Sequence, residues 1–375
     1  MRPEAVAAMA PFLAGEYGNP SGGHRAAAAA KVALEVARES IAECLGASPH
    51  EVVLTGGGTE ADNLAVKGAA RAARAGGSRG GVVTARFEHK GVLASCDRLE
   101  RDGFAVARVG ARLDGVVALD ELADAIAPDT AVVSLMLVNN EVGTVQPLGD
   151  VIELVRARAP QAVVHTDAVQ GVQWVDVATL AAGADLVAVS AHKFGGPKGV
   201  GALVVREGTP LEPLIEGGGQ ERGLRSGTSN VAGVVAMAAA LRVTVEQRTA
   251  DVHRIATLRD RLLDGLLAAI PDAFENGDRA RKVAGNAHLG FRGAESESLL
   301  LLLDSLGVYA AAGSSCSSGA TEPSHVLAAM GVSRDDALSS IRLSLGVAST
   351  DADVDTALAV VPGAVARLRA AGVAA

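Results

Sequence analysis

Short apolar runs recur through the first two thirds of the chain: EVVLT (51–55), GVVTA (81–85), FAVARV (104–109), AVVSLMLV (131–138), AVVHT (162–166), DLVAVS (185–190) and VGALVV (200–205). They are the length of strands, rich in β-branched residues, and mostly unbroken by polar positions, as in strands covered on both faces. Most alternate with Ala-rich segments of helical length, such as Ala61 to Ala75 and Gly149 to Ala159. That alternation predicts a mostly parallel sheet with helices on both faces. The last two runs stand too close for a helix between them, so one strand is expected to run antiparallel in a mixed sheet.

From about Val231 the pattern changes to a long helical stretch, with apolar residues at helical spacing and charges between them through AALRVTVEQRTADVHRIATLRDRLLDGLLAAI. Beyond Asn286 come a strand (AHLGF), a Leu-rich helix (Ser298 to Leu306), a loop around Cys316 and a closing helix. The expected organisation is a large domain over 1–245 and a smaller α+β domain over 246–375 that carries the Cys316 loop. No internal repeat is visible, and the alanine run from Ala26 to Ala30 reads as ordinary helix.

Composition narrows the function classes. At 375 residues and 49% hydrophobic content the chain can bury a sizeable core. A net charge of −9 opposes nonspecific binding to nucleic acid or anionic membranes, which needs a basic footprint. Cys44, Cys96 and Cys316 are far apart, so no CxxC pair, metal knuckle or disulfide framework is suggested and a reducing, cytoplasmic setting is expected. Apolar stretches such as VAGVVAMAAAL are too short to span a bilayer. The N-terminal AVAAMAPFLAG has a signal-like length, but Glu4 and Pro11 interrupt its neighbourhood and no clean cleavage site comes after it.

Open α/β sheets bind ligands beyond the carboxyl ends of their strands, which makes the residues after each run the candidates for chemistry. EVVLT is followed by Gly56-Gly57-Gly58-Thr59-Glu60, opening a helix, and GVVTA by Glu88, His89 and Lys90. SLMLV leads to Asn139, Asn140 and Glu141; AVVHT to Asp167 and then Gln170; DLVAV to Ser190, His192 and Lys193. Several of these also fit purely structural roles. The glycine turn matches neither the Walker nor the dinucleotide pattern and serves close packing as well as phosphate binding. His89 fits a hydrogen-bonded structural histidine, and Asp167 a helix N-cap.

Lys193 has fewer structural explanations. It stands between an apolar strand and a glycine turn, where a desolvated amine is expected, and only a deprotonated amine attacks a carbonyl. Such a lysine, a carboxylate one βα unit upstream and a glycine-led helix N-terminus make up the protein side of a pyridoxal 5'-phosphate site. The acid would keep the pyridine nitrogen protonated. With 2% aromatic residues the chain offers few rings to stack on such a cofactor, which leaves His89 as a candidate for that place.

Eight ordered segments carry a family resemblance: TGGGTEADNLAVKG, EHKGV, VNNEVGTVQP, HTDAVQ, SAHKFGGPKGVGAL, GGGQERGLRSGTSN, AGSSCSSGATEPSHVL and SSIRLSLG. In that order they resemble the signature segments of the NifS/IscS-like cysteine desulfurases, class V of the fold type I pyridoxal phosphate enzymes, over about Gly18 to Ser349. The resemblance implies the fold type I transferase architecture, a mixed, mostly parallel seven-stranded sheet flanked by helices. It implies that Lys193 binds the cofactor covalently, that Asp167 pairs with its ring nitrogen, and that Gln170 and Asn140 lie near the ring hydroxyl and the substrate. His89 would stack on the ring and move protons, while Gly58, Thr59, Ser190 and His192 would hold the phosphate. Thr228 would reach the phosphate of a neighbouring subunit, so a homodimer is expected. Arg342 would clamp the substrate carboxylate, a bidentate task suited to guanidinium.

Cys316 sits in Ala-Gly-Ser-Ser-Cys-Ser-Ser-Gly, small and polar as expected of an exposed loop, whereas Cys44 and Cys96 fall in helical stretches and read as packing residues. By the resemblance, its thiolate takes sulfur from L-cysteine as a persulfide, releases L-alanine and passes sulfur to an acceptor protein of the iron–sulfur scaffold or tRNA-thiolation type. Selenocysteine lyase, or another class V reaction, is the alternative on the same cofactor; a noncatalytic scaffold on this fold is a further one. Family members begin with a short strand and a D-N/Y-x-A-T-T-P segment. The opening of this chain, MRPEAVAAMAPFLAGEYGNPSGGHR, matches only the family sequence after that segment, so the expected large domain lacks that piece.

Overall fold

The computed structural model of the protein describes residues 1–77, 80–313 and 322–373. Ten strands are present among them: β1 Val52–Thr55, β2 Val82–Ala85, β3 Val106–Val109, β4 Val132–Ser134, β5 Val163–Asp167, β6 Leu186–Ser190, β7 Gly201–Val205, β8 Ala273–Glu275, β9 Asn286–Phe291 and β10 Ser340–Ser344. The helices are α1 Pro3–Met9, α2 Arg25–Cys44, α3 Gly58–Ala75, α4 Lys90–Arg101, α5 Leu119–Ala125, α6 Leu148–Arg158, α7 Val177–Leu180, α8 Val231–Ala269, α9 Ser296–Ser305, α10 His325–Ala329, α11 Arg334–Leu338 and α12 Asp351–Val373. No helix among the described residues is long and apolar enough to cross a membrane.

Two compact units make up the chain. The first comprises Met1–Val109, Leu119–Leu137 and Pro147–Arg248, and the second Gly110–Ala118, Val138–Gln146 and Thr249–Ala375. Chain order alone would put 110–118 and 138–146 with the first 245 residues. Their backbone bonding lies elsewhere: Val145 N–H donates to the Arg281 carbonyl at 2.8 Å, and Val283 N–H to that of Gly143 at 3.0 Å.

In the first unit the seven strands form one sheet in the order β1-β7-β6-β5-β4-β2-β3. β7 runs antiparallel to both its neighbours, while β6, β5, β4, β2 and β3 are mutually parallel. β1 therefore runs the same way as β6, and six strands end at one edge of the sheet. β4 is shorter than the apolar run 131–138, although Leu135 and Leu137 still donate backbone bonds to His165 and Asp167. α3 lies across β4, β5, β6, β7 and β1. Its small buried residues, among them Ala61, Ala65, Gly68 and Ala69, recur at helical spacing and let the helix approach the sheet closely. The core beneath it joins Val53, Leu64, Val132, Leu186 and Leu203.

The second unit holds an antiparallel sheet in the order β10-β9-β8, with α9 packed against α12. Arg342 of β10 lies opposite His288 of β9. On its other side Arg342 exchanges backbone bonds with Ala311, just before the segment that leads to Cys316.

Candidate active site

The site grows from the shared strand edge of the first unit. Gly201 lies opposite Thr55 on one side and Ser190 on the other, so the ends of β1 and β6 flank a single residue. A Cβ on Gly201 would stand 2.9 Å from the backbone of Gly57, which makes glycine necessary for this approach. Gly57 precedes α3 with φ +143°, a conformation L side chains rarely adopt. A Cβ on Gly58 would meet Val169 at 2.7 Å and Ser190 at 3.4 Å. The N-terminus of α3 is thus bare backbone, set against the ends of β5 and β6, with its first amides free of side-chain caps.

Asp167 ends β5 and is buried, with its Oδ1 accepting from Val169 N–H at 2.9 Å. Burial raises its carboxyl above the ordinary range; the Val169 bond, His89 and Lys193 act in the opposite direction. His89 and Lys193 therefore stand near Asp167, and all three belong to one edge. His89 caps α4, its Nδ1 accepting from Gly91 N–H at 3.0 Å, so the proton of the neutral ring sits on Nε2. The structural reading of His89 and its place beside Asp167 hold together.

Lys193 departs from expectation. A three-residue 3-10 turn, Ala191–Lys193, ends β6, and although Ala191 and Phe194 are buried, Lys193 between them is exposed. The apolar run stops at Ser190, and the turn lifts the lysine past the buried plane of the sheet. A dry amine is therefore not a property of the strand end itself. The turn is held from both ends: Phe194 N–H and Gly196 N–H donate to the Ala191 carbonyl, Thr244 Oγ1 donates to that of Phe194, and Arg2 N–H to that of Gly195. Next to it, Ser190 Oγ and His192 Nδ1 are 3.0 Å apart, Ser190 being buried and His192 exposed with its ring pKa lowered by partial burial and the neighbouring lysines.

Thr59 is exposed on the first turn of α3, and Gln170 half-buried in the turn after Asp167. Thr228, exposed, lines a shallow cleft with Thr55, Gly56, Gly199 and Arg225, the last paired with Glu60 at 2.7 Å. Asn140 and Arg342 belong to the second unit. There, Arg342 donates through Nη1 to the Asn140 carbonyl, and burial lowers its pKa against the pull of Glu141. Cys316 lies outside the described residues. The other two cysteines suit packing: Cys44 is half-buried, and burial pushes the Cys96 thiol up to about 12.

Behind Asp167 lies a group that the residues at the strand ends do not announce. Asp62 of α3 and Glu88 in the connection after β2 are both buried, and burial together with the neighbouring carboxyls raises both well above the ordinary range. Glu88 Oε1 accepts from Met136 N–H at 2.6 Å. Side-chain atoms of Asp62, His89 and Asp167 lie within 4.8 Å of one another. The sequence does carry a signal for Asp62: it is a carboxylate among the small residues on the sheet-facing side of α3.

The profile of the aminotransferase class V family matches residues 1–357. The chain belongs to that family, among the cysteine desulfurases. An IscS-like cysteine desulfurase of Mycobacterium tuberculosis is 46% identical over 100% of this chain and 96% of its own. Cysteine desulfurase IscS of Methanosarcina thermophila is 42% identical over 98% and 90%. A solved NifS-like protein superimposes with a TM-score of 0.90 at 36% identity, over 97% of this chain and 95% of that one. Class V enzymes depend on pyridoxal phosphate, and this desulfurase has matching parts: a bare helix start for an anion, a buried acid for a ring nitrogen, and a lysine on the adjacent strand end.

Proposed function

We propose that this desulfurase holds pyridoxal 5'-phosphate at the sheet edge of the first unit and converts L-cysteine to L-alanine, leaving sulfur as a persulfide on Cys316. The observation that carries the reading is that Asp167 and His89 come together at the sheet edge within 4.8 Å, with the α3 N-terminus set against the adjacent Ser190. The α3 amides at Gly58 and Thr59, with Ser190, His192 and a partner copy's equivalent of Thr228, would hold the phosphate, and Lys193 would attach the aldehyde carbon. Such a cofactor, when bound, supplies a ring that delocalises the charge left when a substrate Cα loses its proton.

The remaining roles belong to side chains of the chain. Lys193 Nζ would take the Cα proton, and His89, with Nε2 bearing hydrogen, would lie against the cofactor ring. Arg342 pairs with the substrate carboxylate and Asn140 orients it. The Cys316 thiolate attacks the substrate sulfur; the new S–S bond forms as the substrate C–S bond breaks with its electron pair going to carbon, and the skeleton leaves as alanine after taking up one proton at Cβ and one back at Cα. Sulfur then passes to an acceptor protein of the iron–sulfur scaffold or tRNA-thiolation type. The working form is a cytoplasmic homodimer.

The test is the visible spectrum of purified protein before and after L-cysteine, with alanine and sulfide measured in the presence of a thiol reductant. A cysteine-dependent spectral change with equal alanine and sulfide is expected. Sulfide without alanine would sink the reading.

A further inference from the structure

Three carboxyl groups, Asp62, Glu88 and Asp167, share the buried space behind the sheet edge, and each is pushed up by its burial. Among the described residues, His89 from the start of α4 and Lys193 from the turn after β6 act on Asp167, and His165 of β5 faces Asp62. His165 is wholly buried, and burial holds its ring pKa down at about 3, so it is neutral. Like charges in a buried site disfavour one another, and Asp62 and Asp167, with ligand atoms within 4.8 Å, each stand against the ionisation of the other.

Geometry singles out Asp62. Its Oδ1 and the Nε2 of His165 are both buried, neither has a hydrogen-bond partner, and they face each other at 3.6 Å. On the far side of the ring, His165 Nδ1 and Ser134 Oγ are 2.9 Å apart. A row of polar groups, Ser134, His165 and Asp62, therefore runs through the core from β4 to α3 and ends within 4.8 Å of Asp167 and His89. Nothing in the desulfurase roles above uses it.

We propose that Asp62 is a positioning residue which, carrying its own proton, stands neutral between His165 and Asp167 and so leaves Asp167 without a second negative charge beside it. The proposal rests on the cofactor reading for its purpose, but the protonation of Asp62 is a property of the chain alone. An un-ionised acid matches the row chemically: it donates to the imidazole or accepts from it according to the tautomer set by Ser134, whereas a carboxylate would place a second charge beside Asp167.

Two measurements test it. The infrared difference between the cofactor-free protein and its Asp62→Asn variant at neutral pH is expected to show loss of the carbonyl stretch of an un-ionised carboxylic acid; loss of carboxylate bands instead overturns the proposal, whatever the fate of the cofactor reading. In protein loaded with pyridoxal phosphate, Asp62→Ala is expected to shift the pH midpoint of the visible band and to weaken cofactor retention about tenfold, the size of about one pKa unit of altered interaction at the neighbouring Asp167. Asp62→Asn, neutral and of the same shape, is expected to restore both. If the two variants behave alike, Asp62 does not act by position. Absence of a visible band in the loaded native protein would refute the cofactor reading and leave the infrared result to decide Asp62.

Discussion

His288 offers a stability prediction whose size comes from its surroundings. It sits in β9, wholly buried, opposite Arg342. Asn276 Nδ2 donates to its Nδ1 at 3.1 Å and to Ser340 Oγ at 3.0 Å, while Nε2 has no hydrogen-bond partner. A second proton on the ring would break the Asn276 bond and bury a cation beside Lys282 and Arg342, and burial with those two charges lowers the pKa from 6.5 to about 3. The sign is that of a depressed histidine: the neutral ring binds no proton in the folded protein, while the unfolded chain takes one up below pH 6.5. The stability linked to His288 is present above that value and is lost as pH falls toward 3. At pH 5 the loss is about 2 kcal/mol relative to pH 7, at about 1.4 kcal/mol per pH unit below 6.5. The three raised carboxyls act with the opposite sign, because a folded state that binds protons more readily gains from acidification. The native pH profile therefore mixes both effects, and a variant is needed to isolate one. Chemical denaturation of native protein and His288→Gln, followed by circular dichroism at pH 7 and pH 5, is expected to show the gap between them shrinking by about 2 kcal/mol at the lower pH. A gap independent of pH would refute the assignment of a neutral buried ring.

Lys193→Ala is expected to abolish the visible band of the cofactor-loaded protein and to lower cysteine turnover by on the order of a thousandfold or more; absorbance spectra before and after loading check it. Cys316→Ala is expected to retain that band but lose sulfide release from L-cysteine, measured with a thiol reductant. Gly57→Ala would force a side chain into φ +143° beside Ser190, and about 1 kcal/mol of stability should be lost, with weaker phosphate and cofactor binding by titration.

Much of the first unit was legible from its apolar runs, because a strand covered on both faces tolerates few polar residues and announces its ends by where they return. All seven sheet runs contain observed strands, and the close spacing of the last two marked β7 as antiparallel. Asp167, Ser190 and Lys193 were legible at the strand ends for the same reason. Asp62 was legible only as a carboxylate on the sheet-facing side of α3, and its partner His165 was not: one lies inside a helix and the other inside an apolar strand, and only folding brings their side chains to 3.6 Å. The solvation of Lys193 was also hidden, since exposure depends on a three-residue turn rather than on the strand before it.

The local pattern of side chains settled which segments became strands and helices, because burying apolar residues in regular, hydrogen-bonded backbone is decided largely within a dozen neighbours. The order of strands in the sheet, the single glycine between the ends of β1 and β6, and the capture of residues 138–146 by Arg281 and Val283 were decided by tertiary structure. So was the upward shift of the acids behind Asp167. The ionisation of a carboxyl depends on which groups stand within a few ångströms, and α3, β4 and β5 supply those groups from positions up to about a hundred residues apart.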